Sequence, residues 1–171
     1  MDMIYIAHPV RPRHGSTDTI ASNLESAKWW FSVLQRANPR VAFSMDWHLE
    51  IVFGVGDDTL PEDRALGISR AIARASRCSG IAICGSHIGS GSLAETRAVG
   101  EWPSGITPTI HRFMNRDQDL VLPPVHRRRW CDFSDATPWW LRRCQFGAVP
   151  QSVELVGAEI LAAIEREKVK S

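Results

Sequence analysis

The chain has 171 residues, 44% of them hydrophobic and 23% charged, which is the composition of an ordinary globular domain with its own core. Its formal net charge of +1 argues against a protein whose main role is to coat nucleic acid or an anionic membrane. No apolar run approaches the ~20 residues that span a bilayer, and the first residues lack a signal-peptide pattern, so we expect a cytoplasmic protein. The four cysteines form no CxxC pair, which favours free thiols.

Short apolar runs and helical patterns alternate along the first part of the chain. Residues 3–7 predict a strand, which Pro9 ends because proline has no N–H for a sheet ladder. Apolar residues at spacings of three and four predict a helix over 18–37, and a second strand is expected at 41–45. Residues 47–53 fit either a strand or a short helix.

The same alternation continues through the middle of the chain. A capped helix is expected from 59 to about 77, then a buried strand at 81–84, a helix at 92–100 and a strand at 106–110. This rhythm predicts an α/β fold with a doubly wound, mostly parallel, five-stranded sheet that carries helices on both faces.

The last part of the chain is less regular. Residues 115–150 contain four prolines and are too long for an ordinary connector, which indicates a functional segment or an interface. Residues 126–143 mix tryptophan and arginine, a combination that suits base stacking and phosphate binding but equally a solvated or subunit-facing loop. A terminal helix is expected over 151–168. We therefore treat residues 1–171 as one domain.

A glycine-rich loop at 85–91 joins the third predicted strand to the helix that contains Glu95. In open α/β sheets, ligands bind beyond the carboxyl ends of the strands. Free N–H groups at a helix start favour negative charge, so we expect a phosphate or hydroxyl against residues 89–93. The same field predicts an ionised Glu95, as a nucleophile requires. In the alternative interpretation, Ser92 and Glu95 form a capping box and only satisfy the backbone.

Three sequence pieces occur in an order that is typical of one family. They are residues 4–9 (IYIAHP), residues 63–68 (DRALGI), and residues 84–85 (CG) followed by 90–95 (SGSLAE). Together they resemble the nucleoside 2-deoxyribosyltransferase-like proteins, which include the 2′-deoxynucleoside 5′-phosphate N-hydrolases. The resemblance covers residues 3–111 and is nearest to the uncharacterised bacterial and phage branch. It implies a flavodoxin-like sheet and cleavage or exchange of an N-glycosidic bond.

The resemblance also implies roles for individual residues. Glu95 resembles the nucleophile that attacks C1′ of the deoxyribose, Asp63 the acid that serves the sugar or the departing base, and Tyr5 the aromatic residue that holds the nucleophile. His8 stands where many relatives have glycine, which narrows the pocket or adds a titrating group. The remaining substrate-binding candidates lie in the loop beside the sugar or 5′-phosphate: Gly85, Ser90, Gly91 and Ser92.

The chemistry agrees with these roles. Cleavage of an N-glycosidic bond builds positive charge on the sugar, which an ionised carboxylate such as Glu95 stabilises or bonds to. A second group must help the base to leave, and Asp63, Asp46 and His8 are the candidates. A non-catalytic nucleotide-binding or sensing module of the same fold is the alternative.

We expect a nucleoside or nucleotide as the small-molecule partner, no cofactor, and a homo-oligomer, as in relatives. Nucleic acid and membrane partners are not expected from the near-neutral charge. A metal site is not expected either. The two histidines and two cysteines considered in the second half of the chain include no closely spaced pair of ligands. These four are His111, His126, Cys131 and Cys144.

Overall fold

Five parallel strands form the sheet at the centre of the computed structural model, which describes residues 2–52, 61–101, 105–147 and 152–170. The strands are β1 (Met3–Ala7), β2 (Ala42–Ser44), β3 (Gly80–Cys84), β4 (Thr109–Phe113) and β5 (Gln145–Gly147). They lie in the order β2-β1-β3-β4-β5, and each neighbouring pair is parallel. This is the order of flavodoxin-like sheets, so the predicted doubly wound α/β fold is confirmed.

Helices cover both faces of the sheet. They are α1 (Ile20–Ala37), α2 (Asp46–Val52), α3 (Pro61–Ala75), α4 (Ser90–Gly100), α5 (Trp139–Arg142) and α6 (Val153–Lys170), with a short 3-10 helix at Val125–Arg127. Successive strand residues point to opposite faces. Ile4 and Ile6 pack with Trp30 of α1, whereas Tyr5 faces the core that α3, α4 and α6 cover. No helix of the described residues is long and apolar enough to cross a membrane.

Two predictions for the second half of the chain need correction. β4 spans Thr109–Phe113 rather than 106–110, because its last residues include the buried polar side chains of His111 and Arg112. The segment 115–150 is only partly irregular, since it contains α5 and the edge strand β5. Phe146 of β5 also forms an isolated antiparallel bridge with Arg129, which ties the Trp- and Arg-rich segment to the sheet.

Other boundaries differ by a few residues. The ambiguous segment 47–53 forms the helix α2, and α4 begins at Ser90, two residues before the predicted start. The last helix spans Val153–Lys170 instead of 151–168. The predicted cap at Thr59 lies outside the described residues. All four cysteines are free thiols, as expected.

Candidate functional site

A cleft opens where β1 and β3 end side by side. Ala7 pairs with Ile83 in the sheet, so the chain leaves both strands at adjacent points and continues into His8 and Gly85. In this strand order the chain turns to opposite faces from β1 and β3, which is where flavodoxin-like folds bind ligands. Side chains of α2 and α3 and the first turns of α4 complete the walls. The cavity of about 170 Å³ has room for on the order of ten waters.

Glu95 lines this cleft and is hydrogen-bonded to the strand beneath it. The Tyr5 hydroxyl donates to Glu95 Oε1 at 3.0 Å. Tyr5 is fully buried and Glu95 is 9% exposed. The structure therefore brings together two of the three residues predicted to be catalytic. The side chain of the third, Asp63, lies outside the part of the chain that the structure describes, so its role stays a prediction.

The surroundings of Glu95 do not favour the ionised state that the sequence predicts for it. Burial raises the pKa of Glu95 from 4.5 to about 8, although the hydrogen bond from Tyr5 acts in the opposite direction. The helix dipole acts most strongly in the first turn of a helix. Because α4 begins at Ser90, Glu95 lies beyond that first turn. Desolvation therefore outweighs the dipole, and the protonated carboxyl is favoured at neutral pH. Burial and the nearby Glu95 charge likewise raise the pKa of Tyr5.

The capping-box interpretation of Ser92 and Glu95 is also wrong. The residue that caps α4 is Gly89, which makes no side-chain cap bond. Ser92 is only 4% exposed, lines the cleft, and its Oγ has no hydrogen-bond partner among the described residues. A buried hydroxyl without a partner costs about 1–3 kcal/mol, which a polar ligand atom would recover.

The first turn of α4 adds backbone donors to the same wall. Gly89, Ser90 and Gly91 line the cleft beside Ser92. The first N–H groups of any helix lack intrahelical acceptors, and they favour an anionic or hydroxyl ligand. A Cβ atom at Gly91 would meet nothing within 4 Å, so the space in front of this residue is open. Three of the predicted substrate-binding residues thus share one face of the cleft.

His8 forms a wall of the cleft and does not act there as a free base. Its Nδ1 lies 2.8 Å from the Pro9 carbonyl oxygen, and its Nε2 lies 3.1 Å from Ser26 Oγ. Burial lowers the pKa of His8, and the nearby His87 and Arg112 lower it further, despite the hydrogen bond to Pro9. In the neutral ring, Nδ1–H donates to Pro9 and Nε2 accepts from the Ser26 hydroxyl. Both nitrogens therefore have partners.

The His8 ring, together with Pro9 and His87, lines both the cleft and a second, more polar cavity of about 350 Å³, which α1 and Arg116 help to line. Gly85 lies against this ring. Its φ is +97°, and a Cβ atom there would lie 3.2 Å from His8 Nε2. Glycine is therefore required for the backbone conformation and for the close approach. Gly85 lines the second cavity and not the cleft, so its place differs from that of the other predicted loop residues.

Arg112 positions the loop and was not singled out from the sequence. It is 1% exposed and donates two hydrogen bonds of 2.9 Å to the carboxylate of Glu159 on α6. Its Nη1 donates to three backbone carbonyls, those of Ile83, Gly85 and Phe113. One buried guanidinium therefore holds the end of β3 and the start of the glycine loop. A charged residue within the run TIHRF is the signal that would have drawn attention to it.

Glu50 is a second carboxylate of the cleft that the sequence analysis missed. Partial burial acts to raise its pKa, but hydrogen bonds from Arg74 and Arg70 outweigh that effect and lower it. Asp46, an earlier candidate on the same helix, is exposed, lies 3.8 Å from Arg74 Nε and does not line the cleft. In the described part of the chain, the cleft thus contains one carboxyl that favours its proton, Glu95, and one that stays ionised, Glu50.

Within the described residues, no group of three or more histidine, cysteine, aspartate or glutamate side chains is placed to hold a metal ion. Comparisons with protein-family models, with curated proteins and with solved structures gave no match.

Proposed function

We propose that the protein cleaves or transfers the N-glycosidic bond of a nucleoside or nucleotide, with Glu95 as the nucleophile at C1′ of a deoxyribose or ribose. The observation that supports this most is the buried Tyr5–Glu95 pair at the cleft between the ends of β1 and β3. A carboxyl group that lines a cleft and is held by a neighbouring hydroxyl suits covalent glycosyl transfer.

In the proposed reaction, the Glu95 carboxylate attacks C1′ while the bond from C1′ to the base nitrogen breaks. The bonding electron pair goes to the base, which takes a proton from an acid, and by resemblance this acid is Asp63. Water or an acceptor base then attacks C1′ and gives its proton to the carboxylate left on that acid, while the bond from C1′ to Glu95 breaks and returns its electron pair to the Glu95 carboxylate. The Tyr5 hydrogen bond steadies the carboxylate during both steps, because it favours the charged form.

The loop wall would hold the rest of the substrate. The N–H groups at the start of α4 and the unpartnered Ser92 Oγ suit a sugar hydroxyl or a 5′-phosphate. The high pKa of Glu95 means that the nucleophile must first lose a proton, so the rate should increase as pH rises through about 8 and should level off above that value.

The direct test is to incubate the protein with deoxynucleosides, ribonucleosides and their 5′-monophosphates over pH 6–9 and to measure free base by chromatography. Glu95→Gln should abolish release. Glu101→Gln, at the C-cap of the same helix and outside the lining of the cleft, is the matched control and should retain it. No release by wild-type protein, or equal release by Glu95→Gln, would contradict the proposal.

A second candidate function is a non-catalytic nucleotide-binding or sensing module. The observation that favours it is the protonated state of Glu95 at neutral pH, since a carboxylic acid donates a hydrogen bond and is a poor nucleophile. This candidate predicts that a nucleotide raises the melting temperature without any release of base. Base release that depends on Glu95 excludes it.

A further inference from the structure

We propose that Glu50 selects the base of the substrate, and that its carboxylate accepts hydrogen bonds from the N–H groups of a nucleobase with two adjacent donors, as on the N1–H and 2-amino edge of guanine. This inference rests on the proposed function to the extent that the ligand is a nucleoside or nucleotide. It concerns the wall of the cleft that α2 and α3 form. This wall is mainly apolar, whereas the wall that α4 forms is polar.

The surroundings of Glu50 suit a planar, partly apolar ring. Trp47, Glu50 and Ile51 are spaced by three and four residues on α2, so they share one helix face, and all three line the cleft. The Trp47 indole N–H donates to the Ile6 carbonyl at 2.8 Å, which fixes the ring in place. Ile68 and Ala71 of α3 line the same cleft. Glu50 therefore lies on a wall of the cleft that is largely apolar and aromatic, which Arg64 also lines.

The two arginines fix both the position and the charge of Glu50. Arg74 donates to its Oε1, and Arg70 Nε donates to its Oε2 at 3.2 Å. The Glu50 side chain is only 15% exposed. An ionised carboxylate has about four lone-pair sites and no donor, so two sites stay available to a ligand. The ligand must then supply N–H or O–H donors, and bonds to such a fixed charge are strong.

This arrangement separates Glu50 from the reaction itself. A carboxylate held by two guanidinium groups does not give a proton to a departing base, so its use is recognition. Two adjacent N–H donors match the two oxygens of a carboxylate. In guanine these donors are N1–H and the 2-amino group. 2′-Deoxyguanosine and 2′-deoxyinosine differ only in that group, which makes them a matched pair of probes.

The test measures the affinity of both nucleosides by calorimetry at pH 6, where Glu95 is protonated and turnover is slow. We expect wild-type protein to bind 2′-deoxyguanosine about tenfold more tightly than 2′-deoxyinosine, which is the effect of losing one hydrogen bond to a charged acceptor. Glu50→Gln should reduce the ratio to about twofold or less. Asp46→Asn is the matched control, because Asp46 lies on α2 and faces the same Arg74 but does not line the cleft; it should keep the tenfold ratio.

A second measurement uses only wild-type protein, so it does not depend on whether Glu50→Gln folds. 1-Methyl-2′-deoxyguanosine lacks the N1–H donor and should bind wild-type protein at least as weakly as 2′-deoxyinosine. Equal affinities in wild-type protein, an unchanged ratio in folded Glu50→Gln, or no binding of either nucleoside overturns the inference. Base release is measured in a separate experiment. Release without selective binding of guanine would overturn the inference about Glu50 and leave the proposed activity standing. Selective binding without release would overturn the proposed activity and leave the inference standing.

Discussion

The Tyr5 hydroxyl donates a 3.0 Å hydrogen bond to Glu95 Oε1 and so joins the first strand of the sheet to the fourth helix. Tyr5→Phe removes this donor and keeps the ring. Because the bond lowers the pKa of Glu95 against the effect of burial, we expect that pKa to move above about 8 in the variant. The pH profile of base release should shift to higher pH by the same amount. An unmoved profile would show that the bond does not govern the ionisation of Glu95.

The stability of the protein should depend on pH through Glu95. In the unfolded chain this carboxyl has its ordinary pKa of 4.5, and in the folded protein the pKa is about 8. Between these values the folded state holds a proton that the unfolded state has lost, so this contribution to stability decreases as pH rises from about 4.5 to 8. The melting temperature of Glu95→Gln relative to wild type should therefore increase over that range. A difference that is constant with pH would contradict the assignment.

Gly91→Ala tests whether a ligand approaches the first turn of α4. The added methyl group meets no protein atom within 4 Å, so folding should be retained, with an unfolding free energy equal to wild type or up to about 1 kcal/mol higher. Because Gly91 lines the cleft, the added methyl group should crowd a ligand bound there. We expect ligand affinity to decrease about tenfold. Gly105→Ala is the control, because its Cβ also meets open space away from the cleft. Calorimetry and thermal melts measure both effects, and equal affinities would place the ligand elsewhere.

Glu159→Gln should destabilise the protein strongly, because it leaves the buried Arg112 cation without its carboxylate. Removal of one partner of such a pair costs about 3 kcal/mol or more. Glu165→Gln on the same helix breaks an exposed pair with Lys168, whose side chains are 68% and 65% exposed, and should cost less than about 1 kcal/mol. Urea unfolding of both variants checks the contrast. Similar losses would mean that the Arg112 pair is not the link between α6 and the sheet.

Periodicity and apolar runs predicted those parts of the fold in which the side chains themselves carry the pattern. β1, β3 and α1 were found for this reason, since each buries an uninterrupted or regularly spaced apolar set. β4 was placed three residues early because Arg112 looks like a solvent-facing residue, and its partner Glu159 is 47 residues away. β5 has only three residues and follows a segment rich in proline and arginine, so no local pattern indicates it.

The candidate site was predicted in part. The sequence pieces around Tyr5 and Glu95 indicated that these residues meet, and the structure brings them within hydrogen-bond distance. The ionisation of Glu95 could not be predicted, because burial by distant segments determines it. The sequence does not indicate a role for Glu50, because residues 47–53 fit either a strand or a short helix. Its arginine partners also lie 20 and 24 residues further along the chain.

The dependence of the glycine loop on Arg112 sets an order of events during synthesis on the ribosome. The loop carbonyl of Gly85 is held by Arg112, and among the described residues the charge of Arg112 is balanced by Glu159 in α6. A nascent chain that has exposed all five strands but not α6 would carry an unneutralised cation beneath its binding loop. We therefore expect the glycine loop and the cleft beside it to take their final shape only after α6 has left the exit tunnel and docked against Arg112.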